Sequence, residues 1–318
     1  MKLGRGTSRR AFTLLELLVA VGIGALLVTL LLSVALAASN LWTRANGRIA
    51  TAATARAVLD QLEADLQAAV FREDGNVWMS ATVLTTTSNS GAWVSTNRGR
   101  AAADSLVLTE PAIADDRFGA AGTWLRFFTD AGGRNTANLR AVAYQIVRRA
   151  QSSASGAEVS YLLFRSVVSD ANTFAAGYNL DPTTGGYRTA NATVGNAGNV
   201  LRPPLDTVLA DHVVDFGVRF FRSNATALRP LFPATPAGDW TNDELTHLVR
   251  LGGSGTSDSA RPDAVEIMIR VLTDEGVRQL RNFENPPPGY TSTGTWWDIV
   301  VQHSHVYTRR VVLPQGAS

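Results

Sequence analysis

The feature that most limits this chain is an apolar run over residues 12–38, 27 residues long, that holds a single charge, Glu16. A helix of that length spans roughly 40 Å, enough to cross a hydrocarbon core of about 30 Å. Lys2, Arg5, Arg9 and Arg10 stand directly before it. Positive flanks stay cytoplasmic, so the chain after the run is expected on the far side of the membrane.

Glu16 is out of place in such a run. An ionised carboxylate deep in lipid costs on the order of 2–3 kcal/mol or more, and an intramembrane acid is a functional hypothesis by default. The plainer reading sets it in the first turns of the helix, near water and favoured by the positive end of the helix dipole. Composition leaves both readings open.

The stretch Arg9-Arg10-Ala11-Phe12-Thr13-Leu14-Leu15-Glu16-Leu17-Leu18-Val19-Ala20 resembles the processing signal of type IV prepilins and type II secretion pseudopilins. In that family a short basic leader ends in a small residue, usually Gly, and Ala11 takes that place here. The mature chain begins with Phe or Met, and a Glu follows four residues later. The resemblance implies cleavage between Ala11 and Phe12, N-methylation of Phe12, and an assembly role for Glu16. There the carboxylate of one subunit would meet the new ammonium of its neighbour, and pairing would offset the desolvation that makes each charge costly alone. A rival reading exists. Ser8-Arg9-Arg10-Ala11-Phe12 also resembles a twin-arginine export signal, and Ala35-Leu36-Ala37 fits a small-x-small cleavage site. An ordinary secretory signal has an apolar core of only about 7–15 residues, and this run is far longer and contains an acid.

The sequence of 318 residues is long enough for one large domain or two small ones, and 45% hydrophobic residues permit a core. The net charge of +2 resides in the leader: without its four basic residues, 25 Lys and Arg face 27 Asp and Glu. No basic patch for nucleic acid is expected. With no cysteine present, disulfides, thiolate metal sites and a cysteine nucleophile are excluded.

Past the membrane run the pattern becomes one-sided. Between residues 41 and 70, Ile49, Ala52, Val58, Leu59, Leu62, Leu66, Ala69 and Val70 recur near three- and four-residue spacings, with Asp60, Glu63 and Asp65 on other faces. This predicts an amphipathic helix, and since no proline interrupts residues 12–72, a single helix of about 60 residues is expected. Strands are expected at 105–109, 123–129, 139–148, 159–168, 213–221, 264–272 and 306–313. Val214, Phe216, Val218 and Phe220 share one face, as do Val265, Ile267, Ile269 and Val271, with Glu266, Met268 and Arg270 opposite. That period predicts antiparallel sheet with one apolar face, covered by the amphipathic helix. Short helices are expected at 274–283 and 296–302, and exposed loops at 85–100, 172–199 and 224–262.

The order of these elements resembles the J-type minor pseudopilin of type II secretion. The match runs through Leu139-Arg140-Ala141-Val142-Ala143-Tyr144-Gln145-Ile146, then Leu162-Leu163-Phe164-Arg165, residues 213–221 and 264–272, and Tyr307-Thr308-Arg309-Arg310-Val311. The chain also resembles the pilin-like cassette C proteins of Verrucomicrobia.

Other residues carry ligand or phosphate-binding atoms without the spacing those sites need. On a strand, His303 and His305 would share a face, as metal sites use, but no acid or cysteine completes a set nearby. The other two histidines are His212 and His247. Gly252-Gly253-Ser254-Gly255-Thr256 lacks the spacing and Lys of a phosphate loop. Asp115-Asp116 and Asp243-Glu244 lack calcium-loop spacing. Asn191-Ala192-Thr193 matches a glycosylation sequon. Trp296-Trp297 reads as core or domain-edge packing ahead of an interface anchor.

The expected fold class is α+β, a long N-terminal helix packed on a mainly antiparallel β domain, pilin-like. Its parts would be a leader at 1–11, a transmembrane half-helix at 12–38, an amphipathic half at 39–72 and an extracytoplasmic domain at 73–318. The resemblance implies a non-enzymatic single-pass protein of the cytoplasmic membrane, with no catalytic residue, metal or cofactor. Its implied partners are the prepilin peptidase and methyltransferase and other pilin-like subunits. The alternative is an exported β-rich binding protein released after a Tat- or Sec-type signal.

Overall fold

The computed structural model describes residues 14–72, 74–83, 123–130, 139–152, 158–181, 186–187, 195–200, 203–223, 228–232, 248–252, 261–291, 294 and 296–313. The chain divides into two units, Met1–Ile49 and Ala50–Ser318. The described part of the first is helical from Leu14, and its side chains are almost all exposed.

The helix α1 runs Leu14–Gln67, 54 residues. Its stretch within the second unit carries the amphipathic stripe. Ala55, Val58, Leu59, Leu62 and Leu66 are buried in one cluster with the strands, whereas Ile49 and Ala52 are exposed. The helix stops short of the expected residue 72 because Ala69–Val70 become a strand, β1. Asp130 N–H and the Thr129 hydroxyl both donate to Ala68 O, at 3.0 and 3.2 Å. These donors take a carbonyl that the helix end would otherwise leave unpaired.

The remaining strands are β2 (Met79–Val83), β3 (Thr123–Thr129), β4 (Arg140–Ala150), β5 (Val159–Val167), β6 (Val208–Asp211), β7 (Val213–Ser223), β8 (Leu228–Phe232), β9 (Leu248–Leu251), β10 (Ala264–Leu272) and β11 (Ser304–Val312). They form two sheets, one ordered β6-β5-β4-β3-β2-β9 with β1 added on β3, the other β11-β10-β7-β8. All described pairings are antiparallel. The helices α2 (Asp170–Ala176), α3 (Asp274–Glu284) and α4 (Trp296–Gln302) lie between strands in sequence. Thr273 caps α3, its hydroxyl accepting from Gly276 N–H at 3.2 Å.

One core joins the apolar stripe of α1 to Leu125, Phe127, Val142, Tyr144 and Leu163 of the first sheet and to Val214, Phe216, Val218, Phe220, Val265, Ile267, Ile269 and Val271 of the second. The α+β reading and the apolar face of β7 and β10 therefore stand. So does Trp296 as core, being fully buried beside Tyr161.

Several expectations are corrected. Met268 and Arg270, expected on a polar face, are buried; Arg270 donates to the Ser304 hydroxyl at 3.1 Å and lies 3.9 Å from the carboxylate of Asp215. The span 172–199 is no exposed loop where described. Leu180, Tyr187 and Ala197 are fully buried with Trp78, Phe128 and Val168. Its polar residues hold it down: Thr173 Oγ1 accepts from Ala141 N–H at 3.1 Å, and Asn179 Oδ1 accepts from Val77 N–H at 3.2 Å. β8 and β9 lie inside the span 224–262 expected to be loop, and β8 contains Pro230, tolerated because it pairs on one side only. The strand expected at 105–109 and the loop at 85–100 lie outside the described residues.

Candidate functional site: the N-terminal segment

Among the described residues, Leu14–Ser39 is a helical stretch of 26 residues long and apolar enough to cross a membrane. It is apolar all round rather than on one stripe. Leu14 to Leu18, Leu26 to Leu32 and Leu36 expose more than half their surface wherever they carry a large apolar side chain. Two of its hydroxyls are satisfied within the helix. The Thr29 hydroxyl donates to Ala25 O and the Ser33 hydroxyl to Leu30 O, both at 2.8 Å. Hydroxyls so bonded need no water, which suits hydrocarbon. A Cβ added at Gly22 or Gly24 would meet only open space, so both leave room on the helix surface for a close neighbour.

Glu16 lies in the first turn of α1 and is exposed. At that position its carboxylate faces the positive end of the helix dipole, where a negative charge is favoured. Ala11 and Phe12, the expected cleavage and methylation positions, lie outside the described residues.

Within Ala50–Ser318, polar clasps fix the end of α1 to both sheets. Asp65, read from the sequence as facing away from the apolar stripe, is buried. Arg165 grips it in bidentate fashion, Nε to Oδ2 at 2.7 Å and an Nη to Oδ1 at 2.8 Å. The Tyr144 hydroxyl donates to Oδ2 at 2.5 Å, and Gln61 Nε2 donates to Oδ1 at 3.1 Å. Burial and then the Asp65 charge push the Tyr144 phenol far above its ordinary value, and the bond to Asp65 raises Arg165. On the second sheet Arg309 reaches Asp60 at 2.5 Å and Glu63 at 2.8 Å, and Tyr307 and Thr51 share a hydroxyl hydrogen bond of 2.9 Å. A carboxylate from the helix thus meets each sheet, and both contacts resist sliding of the helix along its axis.

Sequence reading passed over the Asp65 clasp. Its signal was spacing: Asp65 falls three residues after Leu62 and seven after Val58, on the buried side. Tyr144 and Arg165 stand directly opposite each other across β4 and β5, so one carboxylate can reach both.

The described histidines do not assemble into a site. His303 sits in the turn before β11 rather than on a strand with His305, because α4 ends there and His303 N–H donates to Ile299 O at 3.0 Å. His212 occupies the β6–β7 turn with φ of 60°. Its ring lies 3.4 Å from the Ser160 hydroxyl and 3.5 Å from Asp211, long contacts at the edge of a small cavity. Among the described residues no three His, Asp or Glu converge as metal ligands do. His247, Asp115-Asp116, Asp243-Glu244 and the Asn191 sequon lie outside the described residues.

Neither a curated protein nor a solved structure matches the chain. Residues 6–32 match the family described as the prokaryotic N-terminal methylation motif. That motif spans Ala11, Phe12 and Glu16, leads into a membrane-length apolar helix and precedes an antiparallel β domain, and it supports the type IV pilin and pseudopilin class for this chain.

Proposed function

We propose that this chain is a pilin-like subunit whose mechanism is assembly. A prepilin peptidase cuts between Ala11 and Phe12 and methylates Phe12. The protein waits in the cytoplasmic membrane with residues 73–318 outside. Its apolar helix then leaves lipid for the helices of neighbouring subunits in a type IV pilus or secretion pseudopilus. Glu16 sets the register by meeting a neighbour's Phe12 ammonium. The length of the chain and the order of its β elements favour a minor, J-type subunit at the tip or in priming.

The observation that carries this reading is the exposed, all-round apolar helix with one carboxylate in its first turn, inside a matched methylation motif. The Asp65 and Arg309 clasps support it as well. They would pass force between an embedded helix and the outer domain without slip.

Glu16→Ala tests it. Removing one partner of a buried pair costs roughly 3–5 kcal/mol, while a neutral residue here eases membrane insertion by about 2–3 kcal/mol. Cells making the variant should therefore hold full membrane levels of processed protein but lose its incorporation into complexes with other pilin-like subunits. Unchanged incorporation, read by crosslinking in membranes, would count against the role of Glu16.

A further inference from the structure

Besides the two-residue β1, four strands have a strand partner on one side only among the described residues, and three of them carry the features that discourage further pairing. β6 and β9 are four residues long, and β8 is five, contains Pro230 and pairs irregularly with β7. β11 differs. It has nine residues and no proline, and it matches β10 residue for residue from Ser304 to Val312 without a bulge. Among the described residues β10 is its only strand partner.

Hydrogen bonds fix which way its backbone groups point. Leu313 N–H donates to Asp263 O and Thr273 N–H to His303 O, each at 2.9 Å. In an antiparallel ladder of unbroken register the odd-numbered residues of β11 therefore turn N–H and C=O toward β10. Those of Val306, Thr308, Arg310 and Val312 point away from it, along the sheet edge. Thr308, Arg310 and Val312 are exposed.

Charged side chains can guard such an edge, but the two arginines of β11 are drawn onto their own domain. Arg309 turns inward to Asp60 and Glu63. Arg310 lies over the Phe221 ring at 5.0 Å and 3.5 Å from Glu266. Across the strands Arg219, Glu266 and Arg310 stand in one row, positive, negative, positive. Opposite charges directly across strands attract, so a carboxylate is the favoured next member of the row. β11 itself contains no Asp or Glu, so a second copy paired through this strand supplies none in any register.

We propose that β11 is a docking edge that takes up an extended, acid-bearing segment of another pilin-like subunit, with a carboxylate set opposite Arg310. The added strand would bond to the outward amides, and the charge row would select it. The identity of the partner as a pilin-like subunit rests on the function proposed above.

The native absence of cysteine gives a clean test. Full-length Val312→Cys protein in its own membranes is labelled with a benzophenone maleimide and irradiated, and the adducts are sequenced. The expected adduct contains an Asp- or Glu-bearing peptide of another N-methylated subunit. Thr308→Pro removes one outward N–H and keeps the ladder to β10; Arg310→Glu reverses the charge. Each should lower the adduct at least about tenfold, the effect of losing roughly 1.4 kcal/mol, while Thr308→Val leaves it unchanged. Protease resistance in the same membranes shows whether each variant is folded, and Arg310→Glu decides if the proline variant is not. No adduct, an adduct to a second copy, an acid-free peptide, or an adduct indifferent to Arg310→Glu would overturn the proposal. If Phe12 is processed normally and these results are negative, only this inference falls; if Phe12 is not processed, the pilin-like reading falls first.

Discussion

Two carboxylates on α1 differ in their exposure. Glu16 is exposed on the apolar stretch, and its proposed counter-charge comes from another molecule. Asp65 is buried and already gripped by Arg165 and Tyr144 of its own chain. Removing a partner from a buried ion pair costs roughly 3–5 kcal/mol, and the partial exposure of Arg165 places Asp65→Ala near the low end, about 3 kcal/mol. Tyr144→Phe loses the bond it donates to Asp65 and the longer one, 3.2 Å, that it accepts from Arg165, with a cost of roughly 1.5–3 kcal/mol set mainly by the first. Denaturant titration of the full chain in detergent checks both, and the two losses should not add, because the residues share one network.

His303 provides a pH test at the same scale. Burial lowers its imidazole below the usual 6.5, so the folded chain resists the proton that the unfolded chain accepts. Stability should therefore be level above that value and fall as pH drops from 6.5 toward the depressed folded value. Comparing wild type with His303→Asn between neutral and acid pH isolates this contribution. An identical slope in both proteins would contradict it.

At the scale of elements, the buried stretch of α1 is the piece that both sheets share. Leu62 is fully buried in the common core, so Leu62→Ala should cost roughly 2–5 kcal/mol, with a matching drop in denaturation midpoint. Ile49→Ala, at an exposed position, should leave the midpoint unchanged. The sequence made such elements legible where periodicity was strong. The spans 123–129, 264–272 and 296–302 coincide with β3, β10 and α4. It failed where short strands hid among polar residues. β9 is four residues, and β8 is masked by Pro230. It failed too in the span after β5, where a few scattered apolar residues are buried and Asn179 and Thr173 accept bonds from distant backbone amides. Gly276 shows the same limit: a Cβ there would stand 2.6 Å from His303 O, a contact between α3 and the α4–β11 turn that no local pattern announces.

At the scale of the whole molecule, the N-terminal methylation motif was more legible than the domain. A charge cluster, a small residue, Phe12 and Glu16 sit within a few residues of one another, and a membrane-length apolar run follows. Local spacing carries that signal without tertiary context. The sheet order, with β9 joining β2 across a long span of sequence, depends on distant pairings that single-sequence patterns do not encode.

The central claim is that this chain is a processed pilin-like subunit, and the most direct test is the mature N-terminus. Membrane-extracted protein from cells with and without prepilin peptidase would be analysed by intact mass and N-terminal peptide sequencing. The account predicts a chain beginning at N-methyl-Phe12 that disappears when the peptidase is absent. A chain beginning at Ala38, indifferent to the peptidase, would contradict it.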